Sequence, residues 1–314
     1  MVTYPIVLRD ADEIEHFFVA TTGMKPGYLQ LSRGLADLRL RVVELNEVTL
    51  VWCRARGKAR WRDQMTGDNL HVGFAVESAG PITACGREIQ PDDGQVWMPD
   101  KEMDLVLDGP NLTLEVAVDR SLVDELGWQV TGDPLSKVPP KALRRLVNTC
   151  IRITDSVRSL PDGAIDSMVE LNAKRNVVLD ALEPVLQPWL VRADESATLD
   201  YRDLPHYELV RRADEYFDAC GLHTALDVDR LIAQLGAPRR TVFHAFRKLL
   251  GVGPRTYLEI RRLHALRAAL REASYADATV TDIATGLGFG DLGRMARKYQ
   301  LHFDERPSET LRYG

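Results

Sequence analysis

The sequence predicts an α+β chain, with a β-barrel or sandwich ahead of an all-helical C-terminal third. Three observations carry that prediction. Between residues 28 and 118, apolar and polar residues alternate with period two in short runs bounded by turn signals. After Pro139-Pro140 the apolar spacing becomes i, i+3, i+4, i+7, the face of a helix. From Tyr207 to Arg312 the chain reads as successive short helices separated by Gly-containing turns.

The elements follow in chain order. The first residues, MVTYPIVLRDADEIEHFF, place acids where a secretory leader needs an apolar run, so a cytoplasmic protein is expected. Strands are predicted at Leu38–Val42, Val48–Arg54, His71–Val76, Gln95–Met98 and Leu112–Val118. Gly67-Asp68-Asn69, Gly80-Pro81, Pro91–Gly94 and Asp108–Asn111 mark turns between them. Leu143, Leu146, Val147, Cys150, Ile151, Thr154 and Val157 then share one helical face, and Ile165, Met168, Val169, Leu171, Val178 and Leu182 begin another. Two amphipathic helices beside a β domain need a surface to cover them, so residues 140–190 are read as a homodimerisation segment. The alternative is that they pack on their own barrel. Residues 191–205 are polar and fit a linker, which divides the chain into 1–190, 191–205 and 206–314.

Composition narrows the function. With 314 residues, 45% hydrophobic and 27% charged, the chain is long enough for two ordinary globular domains and excludes disordered or collagen-like classes. No apolar run is long enough for a membrane helix. Cys53, Cys85, Cys150 and Cys220 are widely spaced, and residues 1–204 hold only His16 and His71, so neither a metal site nor another cofactor is expected. No P-loop, dinucleotide-binding turn, nucleophile elbow or H-E-x-x-H is present, which argues against an enzyme. Residues 205–314 carry 17 Lys+Arg against 14 Asp+Glu, leaving −9 on residues 1–204, so the cationic part lies at the C-terminal end.

That end holds two similar units. Leu231, Ile232 and Leu235 form an apolar face, Gly236-Ala237-Pro238 turns, and a second helix buries Val242, Ala245, Phe246 and Leu249. Its other face shows Arg239, Arg240, Phe243, His244 and Arg247, mostly long donors, on a helix of the width the DNA major groove admits. The grammar repeats: Val280, Ile283, Ala284 and Leu287, then Gly288-Phe289-Gly290, then a helix with Leu292, Met295 and Tyr299 inward. Gly293, Arg294, Ala296, Arg297 and Lys298 lie on or beside its outer side. A long helix from Pro254 to Ala273 joins the units, so two readers could enter successive major grooves about 34 Å apart.

Gly236, Val242, Phe246-Arg247, Gly251, Pro254, Tyr257-Leu258, Arg261-Arg262-Leu263, Ala268 and Leu270 form one block of a pattern. Thr281–Ala284, Gly286–Leu292, Phe303 and Arg306-Pro307-Ser308 form the other. This stretch of about 100 residues resembles the DNA-binding domain of AraC/XylS-type transcription regulators. The resemblance implies base contacts from Arg240, Phe243, His244, Gly293, Arg294, Ala296 and Arg297, with Arg247 and Lys298 on phosphates. It also implies a cupin-like sensor domain, to which Gly27–Gly34 and the strands after it look similar. The implied partners are promoter DNA, a second copy of the chain, RNA polymerase and a small-molecule effector. Three positions depart from the family pattern: Pro238 replaces a capping Ser, Phe243 a polar reader, and Asp304 a Gly.

Arg54, Arg56, Lys58, Arg60 and Arg62 place a cation at every second position, which in extended chain would form one cationic row. Arg56 and Arg60 also match the R-x-x-x-R of PilZ-type cyclic di-GMP sites. Asp68–Gly73 has the spacing of the second PilZ element, with Leu70 where Ser belongs. The resemblance implies cyclic di-GMP as effector, held by Arg54, Arg56, Arg60, Trp61, Arg62, Asp63 and Asp68. The alternatives are another metabolite, such as an ethanolamine-like molecule, or action without ligand.

Overall fold

The computed structural model describes residues 6–8, 11–22, 27–34, 36–64, 68–91, 93–97, 102–158, 167–190, 205–221, 228–273 and 278–313. The N-terminal part contains β1 (Ile6–Leu8), α1 (Ala11–Thr22), β2 (Gly27–Gln30), β3 (Asp37–Leu45), β4 (Val48–Arg56), β5 (Ala59–Gln64) and β6 (Leu70–Ser78). It continues with β7 (Ile82–Ala84), β8 (Arg87–Glu88), β9 (Asp93–Trp97), β10 (Glu102–Leu107), β11 (Asn111–Val118), α2 (Arg120–Glu125) and β12 (Leu135–Lys137). Then come α3 (Pro140–Arg158), α4 (Met168–Leu186), α5 (Pro205–Cys220), α6 (Val228–Leu235) and α7 (Arg239–Leu250). The chain closes with α8 (Pro254–Glu272), α9 (Val280–Gly286), α10 (Leu292–Phe303) and α11 (Pro307–Tyr313). The predicted order, a β barrel followed by an all-α domain, is therefore observed.

The strands form a seven-stranded sheet, β1-β3-β4-β11-β6-β9-β12, and a five-stranded sheet, β2-β5-β10-β7-β8, antiparallel throughout. Alternation decides what each strand faces. In β11, Leu114, Val116 and Val118 are fully buried beneath α3 and α4, while Thr113 and Glu115 border a lumen between the sheets. In β4, Leu50 and Trp52 face the helices, and Val51, Cys53 and Ala55 face inward.

Helices α3 and α4 cover the outer face of the seven-stranded sheet with Leu146, Cys150, Ile153, Val178, Leu182 and Val185. Trp52 Nε1 donates to Thr154 Oγ1 at 2.9 Å, and Thr154 Oγ1 donates to the Cys150 carbonyl at 2.7 Å, pinning α3 to β4. Ser167 and Glu170 form a capping box that starts α4. The surface that buries this hairpin is thus the chain's own barrel, because the outer sheet face is itself apolar and needs cover. What stays exposed is Ile151, Met168, Val169 and Val177. The predicted linker, apart from Pro205, lies outside the described residues.

In the C-terminal domain, α8 serves two small cores. Tyr257, Leu258 and Ile260 pack with α5, α6 and α7, and Leu263, Leu266 and Leu270 pack with α9, α10 and α11. Gly236, at φ 62, turns α6 into α7 in the left-handed region that suits glycine. Asp304 closes α10 at φ 59; a short polar side chain tolerates this conformation, which is why it can replace glycine there.

Leu146 is fully buried against the barrel, so Leu146→Ala should lower unfolding free energy by about 2–5 kcal/mol. Denaturant unfolding should show that loss at every protein concentration. A loss that vanished on dilution would place Leu146 in an interface between chains.

Candidate functional site

The two helix-turn-helix units, α6–α7 and α9–α10, turn their second helices outward. Arg240, His244, Arg247, Gly293, Arg294 and Arg297 are exposed, and Phe243 and Ala296 half-buried. Arg240, Arg247, Arg294 and Arg297 make no ion pair among the described residues. Arg239 is committed elsewhere: it pairs with Asp229 at 2.6 Å and lies 5.1 Å from the Phe243 ring centroid. Lys298 pairs with Glu259 on α8, so the expected phosphate donor braces the domain instead. Phe243 therefore supports Arg239 as well as facing outward, and His244 sits edge-on to His206 at 5.1 Å. Pro238 starts α7 with no side-chain cap, and Asp291 caps α10 by accepting from the Arg294 amide at 2.9 Å.

The basic row does not form. A turn at Gly57, φ 82, passes the chain from the seven-stranded to the five-stranded sheet, so Arg54 and Arg56 belong to one sheet and Arg60 and Arg62 to the other. Arg54 and Arg56 are exposed beside Glu77 (3.2 Å) and Asp37 (3.6 Å). Arg60 is only 1% exposed. Its guanidinium takes Asp104 through two bonds, Nε at 2.8 Å and Nη2 at 2.6 Å. Its Nη1 donates to Asp214 Oδ2 at 2.7 Å and to the Tyr257 hydroxyl at 2.6 Å. Trp61 is a lumen residue, edge-on to Phe18 and Tyr28. Arg62 is half-buried near Asp214 and Asp218, and Asp68 is exposed near Leu70 and Arg120. The Asp63 side chain lies outside the described residues. The described positions expected to hold a dinucleotide are thus dispersed, because the chain changes sheet at Gly57 and β alternation turns Trp61 to the face opposite Arg60 and Arg62.

Asp104 and Asp214 were not singled out by the sequence, and Tyr257 only as a member of the family pattern. One signal was there: Val210, Ala213, Asp214 and Phe217 are spaced i, i+3, i+4, i+7, so Asp214 occupies the apolar face of α5. Burial alone would raise its pKa; the Arg60, Arg261 and Arg62 charges and the Tyr257 hydrogen bond outweigh that and hold it below the usual carboxylate range.

A second candidate site is the lumen. Its free volume is about 70 Å³, and its walls include Phe18, Cys53, Trp61, Trp97, Met103 and Leu105, with Gln95 and Glu115 as polar members. Gly73 has no side chain because the Trp97 ring occupies that space, with the ring 2.6 Å from where a Cβ would stand. Trp61 Nε1 and Gln95 Oε1 are buried and have no protein partner among the described residues. Burial, and then the Glu115 charge, push the Cys53 thiol up to about 12, so it stays protonated. No group of His, Cys, Asp and Glu among the described residues gathers as metal ligands.

The barrel also meets the second helix-turn-helix unit. The Gly34 amide donates to the His302 carbonyl at 3.0 Å, His264 Nε2 lies 3.3 Å from the Gln30 carbonyl, and the two imidazoles meet at 3.4 Å.

Residues 231–313 match the model of a family described as a helix-turn-helix domain. Over 87 residues the chain is 36% identical to the XylDLEGF operon transcriptional activator of Pseudomonas putida, covering 28% of this chain and 27% of that protein. It is 35% identical over 104 residues to a probable thc operon regulatory protein of Rhodococcus erythropolis, covering 33% of this chain and 31% of that one. The crystal structure of a probable AraC family transcriptional regulator from Rhodopseudomonas palustris is similar at 34% identity and a TM-score of 0.31, over 33% of this chain and 95% of that one. The chain thus spans under a third of the length of these curated relatives. No helix among the described residues is long and apolar enough to cross a membrane.

The histidine pair makes stability depend on pH. Burial first, then the neighbouring His302 and Arg267, lower the pKa of His264 to about 3. Burial, with Arg33 and Arg267, lowers that of His302 to about 4. The unfolded chain takes up these two protons near the ordinary value of 6.5, and the folded chain only near these lower values. Stability from this pair is therefore full above about pH 6.5 and falls as the pH drops toward about 4. Denaturant titrations across that range should show the fall, and His264→Gln with His302→Gln should flatten it. An equal slope in the double variant would mean that other groups carry it.

Proposed function

We propose that this chain, whose residues 231–313 match a helix-turn-helix domain family, is an AraC/XylS-type, sequence-specific DNA-binding transcription activator controlled by a small molecule. The observation that carries the proposal is the pair of exposed helices, α7 and α10, mounted on the single helix α8, with four arginines that pair with no acid among the described residues. Arg240 and Arg294 are the base readers, able to bond guanine through two parallel hydrogen bonds; Arg247 and Arg297 flank them. Promoter DNA and RNA polymerase are the partners, and the site of action is the cytoplasm. A homodimer forms through the exposed side of α3 and α4, where Ile151 and Val177 lie. Ile151→Glu should then give monomer in light scattering.

The effector occupies the lumen. Its aromatic and aliphatic walls call for a small, largely apolar body. Trp61 Nε1 offers a donor and Gln95 Oε1 an acceptor, and a ligand bearing one group of each kind would relieve both. Cyclic di-GMP is the less favoured reading. It rests on Arg56 and Arg60 acting together, and Arg60 would first have to leave Asp104 and Asp214, which already hold it through charge-assisted bonds.

Arg240→Ala should cost about 1–3 kcal/mol on a selected duplex and relax preference at one base pair, while Arg247→Ala should weaken all duplexes alike and lower the salt dependence. Equal losses on specific and random DNA for Arg240→Ala would remove its role as a reader.

For the effector, calorimetric titration of the full chain with small aromatic acids and amides should give heat that Trp61→Phe diminishes. Heat from cyclic di-GMP at micromolar concentration, lost in Arg56→Ala, would overturn the lumen reading in favour of the dinucleotide.

A further inference from the structure

The outer face of the five-stranded sheet is where the DNA-binding domain docks. Arg60, Asp104 and Val106 point outward there, and Leu31, Cys85 and Val106 share an apolar cluster with Tyr207, Val210 and Leu250. The gap left beside Arg60 has a free volume of about 10 Å³, room for no more than a single water. The ion cluster crosses the interface. Arg60 bridges Asp104 of the barrel to Asp214 and Tyr257 of the helical domain, and the Tyr257 hydroxyl donates to Asp214 Oδ1 at 2.7 Å. Arg261 contributes 3.3 Å and 2.5 Å contacts to Asp214 and Asp218.

A separate contact holds the other half of the domain, where Gln30 and Gly34 meet His264 and His302. Both helix-turn-helix units are therefore fastened to the same side of the barrel, one through α5 and α8 and the other through α8 and α10. The fastening leaves the reading faces uncovered: Arg240, Arg247, Arg294 and Arg297 are all exposed in this arrangement.

We propose that Arg60 and Asp214 are positioning residues for DNA recognition: the barrel acts as a splint that holds α7 and α10 in one mutual arrangement, ready to engage two sites together. The proposal rests on the reading of α7 and α10 as DNA readers. Its physical basis is preorganisation. Two linked readers gain most from each other when their geometry matches the span they must bridge, and a pair released from the barrel, though still joined by α8, loses part of that gain without losing either reader's own contacts. The cluster suits the role because it is all-or-none: a guanidinium with its fork filled by two carboxylates and a hydroxyl has one geometry, and a shifted domain would leave buried charge unpaired.

The test uses the full chain and two variants. Asp214→Asn removes the charge facing Arg60 but leaves the Arg60–Asp104 pair within the barrel. Tyr257→Phe removes one hydroxyl and serves where the first variant proves poorly folded by circular dichroism. Without DNA, wild type should unfold in one calorimetric transition and the variants in two, with a larger radius of gyration by small-angle scattering. A duplex selected by the wild-type protein from a random pool should then be bound about tenfold more weakly by the variants, while each half of that duplex is bound as by wild type.

A single transition with unchanged radius in both variants would overturn the splint. Equal losses on whole and half duplexes would mean a general structural role, and tighter binding would mean that the contact restrains DNA binding; either overturns it. Failure of the wild type to select any duplex would instead strike at the DNA-reading function, while the DNA-free measurements would still decide whether the cluster fastens the domains.

Discussion

Arg60 carries a charge that no accessible pH removes, in a position with almost no contact with water. Such a group is tolerated only where carboxylates complete its fork, and here they come from two domains: Asp104 from β10 and Asp214 from α5. Removing either would strand buried charge at a cost on the order of 3–5 kcal/mol. With Arg62, Arg261 and Asp218 at its margin, the cluster contains three cations and three anions, so it is neutral as a unit. The relative placement of barrel and helical domain depends on this local balance.

The same strand explains why the cluster and the lumen belong together. In β5, Ala59 and Trp61 face the lumen while Arg60 and Arg62 face the helical domain. A ligand that displaced the Trp61 ring would therefore press on the strand whose other face holds Asp214. The seven-stranded sheet is covered in the same way, with α3 and α4 on its outside. Four layers result: a helical hairpin, two sheets enclosing a lumen, and the DNA-binding domain. Much of each sheet is covered on both faces, which is why apolar residues run consecutively in places, as in Leu50–Cys53.

Within the helical domain, the arginines divide by use. Arg239, Arg261 and Arg267 pair with Asp229, Asp218 and Glu305, and Arg262 lies 4.4 Å from the Phe289 ring centroid while donating to the Leu287 carbonyl. Several of the domain's acids thus neutralise structural arginines, while Arg240, Arg247, Arg294 and Arg297 pair with no acid among the described residues. A net charge of only +3 over residues 205–314 conceals a locally cationic reading surface.

The sequence by itself determined the local structure. Period-two runs became β3, β4, β6, β9 and β11, the Gly236 and Gly288 turns separated paired helices, and the outward faces of α7 and α10 were readable from the positions of Val242, Phe246, Met295 and Tyr299. These depend on periodicity and turn chemistry, which act between residues a few positions apart. Short strands such as β7, β8 and β12 offered too few residues for a period to show. The basic row at 54–62 was legible as composition but not as an arrangement in space, because the turn at Gly57 and the change of sheet follow from closing the barrel. Likewise, only the tertiary structure decided that α3 and α4 are buried by their own sheet, and that Arg60 meets an aspartate 154 residues away. Side-chain period tells which face a residue occupies; what lies against that face is set by docking between elements distant in sequence, where apolar area must be covered and buried charge matched.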